Sequence, residues 1–212
     1  MLKFSLLCII GIGFASASNL INLVETAKVP NSTKELILVK SKSKNMASVT
    51  AWEKNGKGWQ QVLPAMDADV GSQGITQDKH EGDNKTPEGL FALGPAFGTE
   101  LLALKMDYRY VTSVDKFVDD VNSSDYNHWI HGNTTAQSYE QMKREDGIYR
   151  LGVVVNYNMH PVIKGKGSAI FMHIWYGPNI GTTGCIALDE KNMLKLLRWL
   201  NKDYHPYILI TN

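Results

Sequence analysis

The chain has 212 residues, 43% of them apolar, with 22 Lys and Arg against 21 Asp and Glu. Lysines and glutamates are scattered rather than blocked, so the basic stripe that a nucleic-acid partner needs is missing and such a role is excluded. The length suits one compact domain with a sizeable core.

The N-terminus reads Met1, Leu2, Lys3, then an apolar run from Phe4 to Phe14, then Ala15-Ser16-Ala17. A charged start, a short greasy core and a small-residue site predict a secretory signal peptide over residues 1–18. The run is shorter than the roughly 20 residues a bilayer span needs, so no stable membrane anchor is expected. Cys8 lies inside the apolar run and is not read as a lipid attachment site. Cleavage after position 18 would leave Cys185 as the one cysteine and 21 residues of each charge. A lone thiol in an exported chain gains no intrachain disulfide; it is either reactive or a small buried side chain.

From Lys34 to Gly71 the pattern is that of a β-meander: Leu36-Ile37-Leu38-Val39, then Ser48 to Trp52, a turn at Asn55-Gly56-Lys57-Gly58, and Trp59 to Leu63. Residues 71–91 read as a loop feeding a short strand at Leu90-Phe91-Ala92-Leu93. Residues 99–147 show no clean period. They read as an irregular excursion, either a functional lid or an element whose pattern is not recognisable, with Asp119, Asp120 and the Tyr126 to Trp129 stretch as lid or solvated loop. Buried strands are predicted at Tyr149 to Tyr157 and Ser168 to Trp175. One helix is predicted from Glu190 to Asn201, capped by Asp189, with Met193, Leu194, Leu197 and Leu200 on its apolar face. The chain closes on a strand at Tyr207 to Ile210.

Chemistry concentrates between His173, at the end of a strand, and Cys185, just before the helix. A thiol attacks as thiolate, which needs a neighbouring base or cation, and an imidazole can serve. A histidine on an apolar strand is more often a satisfied core residue than a catalytic one, so this pairing alone is weak evidence. Gly184 permits a turn or a close substrate approach, with amides near Cys185 able to face a developing oxyanion. Trp175 and Tyr176 line a groove or pack a strand end. Among His80, His128, His131, His160 and His205 no metal-ligand spacing occurs, so no metal site is expected.

His173, Thr182, Gly184 and Cys185 resemble the active-site signature of the L,D-transpeptidase catalytic domain (YkuD-type) family. Gly82-Asp83-Asn84-Lys85-Thr86-Pro87-Glu88-Gly89-Leu90-Phe91 is similar to that family's Gly-Asp-x-x-Thr-Pro-x-Gly-x-Phe segment. The strands over Tyr149 to Val155 and Gly167 to Phe171 extend the likeness from about Lys34 to the C-terminus. The resemblance implies a mainly β fold with a few helices, a curved sheet or β-sandwich, as one catalytic domain over residues 19–212. It implies an exported enzyme of the periplasm or cell wall acting on peptidoglycan stem peptides. Cys185 would be the nucleophile, His173 the base and Gly184 part of the turn, with Trp175, Tyr176, Thr182 and Thr183 touching substrate; no cofactor is implied. Thr183 stands where the commoner signature has a second His, and Ala187 where it has Arg or Asn. Some hydrolysing relatives carry Ala there, so an L,D-carboxypeptidase or endopeptidase is the first alternative and a non-catalytic wall-binding module the second.

Overall fold

A computed structural model describes the backbone of residues 11–212 and the side chains from position 18 onward. The opening helix, α1, spans Gly11–Thr26 and runs past the expected cleavage point, while the start of the expected signal peptide, including Cys8, lies outside the described residues. The β-meander follows as β1 (Glu35–Ser43), β2 (Met46–Asn55) and β3 (Gly58–Asp69), with the turn where Asn55 and Gly58 predict it.

Both faces of β1 are apolar because each meets a different core. Ile37 and Val39 point into the main core, whereas Leu36 and Leu38 pack with Trp52, Trp59 and Val24 under α1. Alternation along a strand produces this division. The contacts of α1 come from Leu20, Ile21, Leu23 and Val24, all beyond position 18, so a chain cleaved there would keep them.

Two short strands, β4 (Ile75–Thr76) and β5 (Thr86–Pro87), then lead into β6 (Gly89–Gly98), a ten-residue strand longer than the sequence pattern suggests. The remaining elements of the main sheet are β7 (Tyr108–Tyr110), β11 (Leu151–Val155), β12 (Phe171–Ile174), β13 (Ile186–Leu188) and β14 (Tyr207–Thr211). Their order is β11-β12-β13-β3-β2-β1-β14-β6-β7, and β11 pairs with β6 as well. That extra pairing closes eight strands into a barrel-like ring, satisfying backbone groups that an open edge would leave unpaired.

The helix α2 (Glu190–Trp199) begins at Asp189, whose carboxylate accepts the Asn192 N–H at 3.0 Å. It closes the main core with Met193, Leu196 and Leu197, all fully buried, at about 1.5–3 kcal/mol per side chain relative to exposure. Among the described residues no helix is long and apolar enough to cross a membrane.

Residues 99–147 are more ordered than their composition suggests. They contain β7 and a second small sheet, β8 (Asp115–Val118), β9 (Trp129–His131) and β10 (Tyr139–Gln141), in the order β10-β8-β9. Val111, Phe117 and Met142 pack on Phe97, Val154 and Phe171 of the main sheet, forming a second core cluster. Asp115 holds the small sheet from inside, accepting hydrogen bonds from Thr112, Trp129 and His131. The tip is stitched down too: Tyr126 Oη donates to Glu81 at 2.5 Å, and Asn127 Nδ2 donates to the carbonyls of Tyr157 and Asn158. Strands of three or four residues are too short to show a period, so order here comes from long-range contacts.

Candidate active site

His173 and Cys185 come together because β12 and β13 are parallel neighbours with His173 in register with Ala187. Cys185 lies two residues before Ala187, so it projects from the same face as His173. Met172 and Ile186 point the other way, into the main core, while Phe171 and Cys185 belong to the second cluster beneath residues 99–147.

The Cys185 backbone is held tightly. Its carbonyl accepts Thr182 Oγ1 at 2.7 Å and Thr86 Oγ1 at 3.4 Å, which joins the Gly-Asp-x-x-Thr-Pro segment to the loop that carries Cys185. Thr182 Oγ1 also accepts the Gly184 N–H at 3.0 Å. Gly184 sits at φ +144, and a Cβ built on it would stand 2.9 Å from the Lys85 carbonyl oxygen. Glycine is required there by backbone conformation and by space together. The short loop from Tyr176 to Gly181 is fastened by Asp69, whose carboxylate accepts the N–H groups of Asn179, Ile180 and Gly181 at 2.9, 3.0 and 3.1 Å.

At rest the thiol faces backbone. Sγ donates to the Ala169 carbonyl at 3.3 Å and accepts the Phe171 N–H at 3.4 Å. Burial pushes the thiol up to about 12, the Phe171 N–H works against that rise and the charge of Glu140 adds to it. Burial also lowers His173, to about 4. Both groups are therefore neutral near pH 7. The His173 Nδ1 lies 2.7 Å from the Ile174 carbonyl oxygen, which can only accept, so Nδ1 carries the hydrogen and Nε2 keeps its lone pair. A neutral imidazole with Nε2 bare has the lone pair that a general base needs. Tyr149 stacks edge-on against the ring at 5.1 Å and steadies it.

Cys185 borders two cavities. The first, about 370 Å³, is lined by His173, Trp175, Tyr176, Thr182 and Thr183, so the side chains singled out in the sequence converge on it. Trp175 is half-buried and Tyr176 is exposed. Ala187 lines the same cavity, as do Arg144, Glu140 and Tyr149. Arg144 is clamped there: its guanidinium meets Asp146 at 2.6 Å and Glu140 at 3.3 Å, and it also donates to Tyr176 Oη at 3.2 Å. The Asp146 bond holds the guanidinium charged, and Arg144 holds Asp146 well below the usual carboxylate range. The second cavity, about 220 Å³, has Cys185, Gly184 and Thr183 on one wall and Lys79, Glu81, Asp119 and Glu140 on the others.

A family comparison agrees with this architecture: the family profile of the YkuD L,D-transpeptidase catalytic domain matches residues 34–207. The chain belongs to the L,D-transpeptidase catalytic domain family. The curved, mainly β sheet is the fold that membership implies, and family members act on peptidoglycan. No curated protein matches the chain. Among solved structures, the helical cell shape determining protein Pgp2 from Campylobacter jejuni is similar at 15% identity with a TM-score of 0.49, over 92% of this chain and 55% of that one. A lysine-to-alanine mutant of that protein gives the same identity and TM-score over 91% and 53%. The chain thus spans about half the length of these relatives.

Arg144, Asp146, Glu140 and Asp69 were not singled out in the sequence. Nothing in their spacing marks them, since Arg144 and Glu140 reach the first cavity from residues 99–147 and Asp69 from the end of β3, while Asp146 holds Arg144 and Tyr176 there.

Proposed function

We propose that this L,D-transpeptidase-family chain is an exported peptidoglycan L,D-transpeptidase that works through a Cys185 thioester on stem tetrapeptides. The observation that carries the reading is the position of Cys185 between two cavities of different character. The first contains the base and the aromatic side chains, and receives the acyl donor. The second carries Asp119, Glu81 and Glu140, three carboxylates against the one ammonium of Lys79, which is paired with Asp83, and suits the ammonium of an acceptor.

In this mechanism Sγ attacks the carbonyl of the third stem residue as His173 Nε2 takes the thiol proton. The tetrahedral oxyanion is steadied by backbone N–H groups; because the Gly184 N–H bonds Thr182, the amide of Cys185 itself is the candidate donor. Collapse breaks the bond to the terminal D-alanine, whose amine leaves with the proton from His173. The acceptor amine then attacks the thioester, gives its proton to His173, and the thiolate departs. Residues 99–147 act as the cover that keeps water from the thioester.

Incubation with purified tetrapeptide muropeptides, read by mass spectrometry, is expected to give free D-alanine and cross-linked dimers. Asp119→Asn is expected to lower the ratio of dimer to tripeptide several-fold. If the enzyme yields tripeptide alone at high acceptor concentration, transfer is wrong and the carboxypeptidase reading, which Ala187 in the first cavity favours, replaces it. If Cys185 releases no D-alanine and reacts with a thiol probe no faster than an ordinary buried cysteine, the wall-binding module remains.

The export part of the reading rests on the N-terminal charge, apolar run and Ala15-Ser16-Ala17 site. N-terminal sequencing of the exported form is expected to begin at Ser18 or Asn19; an intact Met1 chain retained in the cytoplasm would remove it.

A further inference from the structure

Lys79 is a buried charge that the mechanism above does not use. Its side chain is 4% exposed, and Nζ donates to Asp83 at 2.6 Å and to the His80 carbonyl at 2.9 Å. The stem threads between two glycines: a Cβ on Gly167 would meet Lys79 Cγ at 2.9 Å, and one on Gly184 would stand 3.6 Å from Lys79 Cε. Lys79 therefore lies directly behind the residue that precedes Cys185, and it shares the second cavity with that thiol. Asp83 also accepts the N–H groups of His80 and Lys85 at 2.9 and 2.8 Å, so the ion pair is fixed to its loop.

We propose that Lys79 is a positioning residue for the nucleophile, its ammonium supplying from the second cavity a fixed positive charge that favours the Cys185 thiolate. This deepens the reading of Cys185 as nucleophile and rests on it. His173 receives the proton in the first cavity, while Lys79 stabilises the charge left behind. A cation beside a thiol lowers the cost of ionising it, and does so strongly where water is excluded. The other charged or titratable groups on the cavities that Cys185 borders are Glu81, Asp119 and Glu140 in the second, and Glu140 again with Asp69, Arg144, Tyr149, His173 and Tyr176 in the first. The carboxylates oppose the thiolate, so removing Lys79 would leave the second cavity with carboxylates and no cation, and the only positive charges left would be Arg144 and the protonated His173 across the first cavity. Consistently, Lys79 and Arg144 act to lower the thiol against its burial.

The test is the pH profile of iodoacetamide alkylation of the full chain, with labelling at Cys185 read by peptide mass spectrometry. It needs no muropeptide, so it can fail separately from the transpeptidase reading. Lys79→Met is expected to slow labelling at pH 8 about tenfold and move the midpoint about one pH unit upward, because attack follows the thiolate fraction. Lys79→Arg is expected to stay within about twofold of wild type. Asp83→Asn removes the carboxylate that neutralises the ammonium and is expected to move the midpoint downward. A purely structural role would move Lys79→Met and Asp83→Asn in the same direction. The proposal is overturned if a folded Lys79→Met, judged by circular dichroism, keeps the wild-type profile, or if both variants shift together. Should Lys79→Met fail to fold, the sign of the Asp83→Asn shift decides: downward supports the proposal and upward or unchanged rejects it.

Discussion

Cys185→Ala and His173→Ala are each expected to cut the release of D-alanine from a tetrapeptide muropeptide by on the order of 10⁴-fold, with the double variant within about threefold of either single one. The physical reason is that the thiol and the imidazole act as one unit. Burial keeps both neutral at rest, so the proton must pass from Sγ to Nε2 as the bond to carbon forms. Removing the base leaves a thiol that burial holds protonated far above neutral pH, and removing the thiol leaves a base with nothing to activate. The measurement is a double-mutant cycle on D-alanine release. Losses that multiply in the double variant would mean independent roles, and a His173→Ala variant retaining more than about a tenth of wild-type activity would require a different base.

The second large effect concerns stability in acid. His173 is lowered by burial to about 4, from an ordinary value near 6.5. Between those two pH values the unfolded chain binds a proton that the folded chain refuses. Stability from this group is therefore complete above about 6.5 and lost as the pH falls towards 4, amounting to about 3 kcal/mol. Urea unfolding of wild type and His173→Gln between pH 7 and pH 4 is expected to show this difference in their acid limbs, with wild type losing about 3 kcal/mol more. Glu35 works in the opposite sense, since burial raises its carboxyl to about 7 and its neutral form is the favoured one in the fold. It is present in both proteins and drops out of the comparison. Acid limbs that run parallel would show that His173 is not desolvated as the structure places it.

Much of the frame was legible from residue order alone. The β-meander, the apolar strands around Val153-Val154-Val155 and Phe171-Met172, and the Asp189-capped helix are all signalled locally, by apolar runs, by a 3.6-residue period and by a capping side chain. The second strand starts at Phe171 rather than Ser168, because Ala169 takes a positive φ. The helix nevertheless ends at Trp199 rather than Asn201, because the chain turns there to let Glu35 accept the Asn201 N–H. The order within residues 99–147 is not legible for a different reason: their strands are three or four residues long, and their apolar side chains, such as Val111 and Phe117, pack in a cluster completed by Phe97 and Phe171 of the main sheet.

The sequence by itself determined the mainly β class, the family and the pair of residues on which the chemistry is proposed to rest, because a motif and its strand pattern are written in consecutive residues. Only the tertiary structure decided that Cys185 stands between two cavities, that Arg144 and Glu140 enter from residues far earlier in the chain, and that Lys79 lies buried behind Gly184. Those facts depend on distances between segments some 40 to more than 100 positions apart. Charge at a buried thiol acts through space, and no spacing along the chain encodes it.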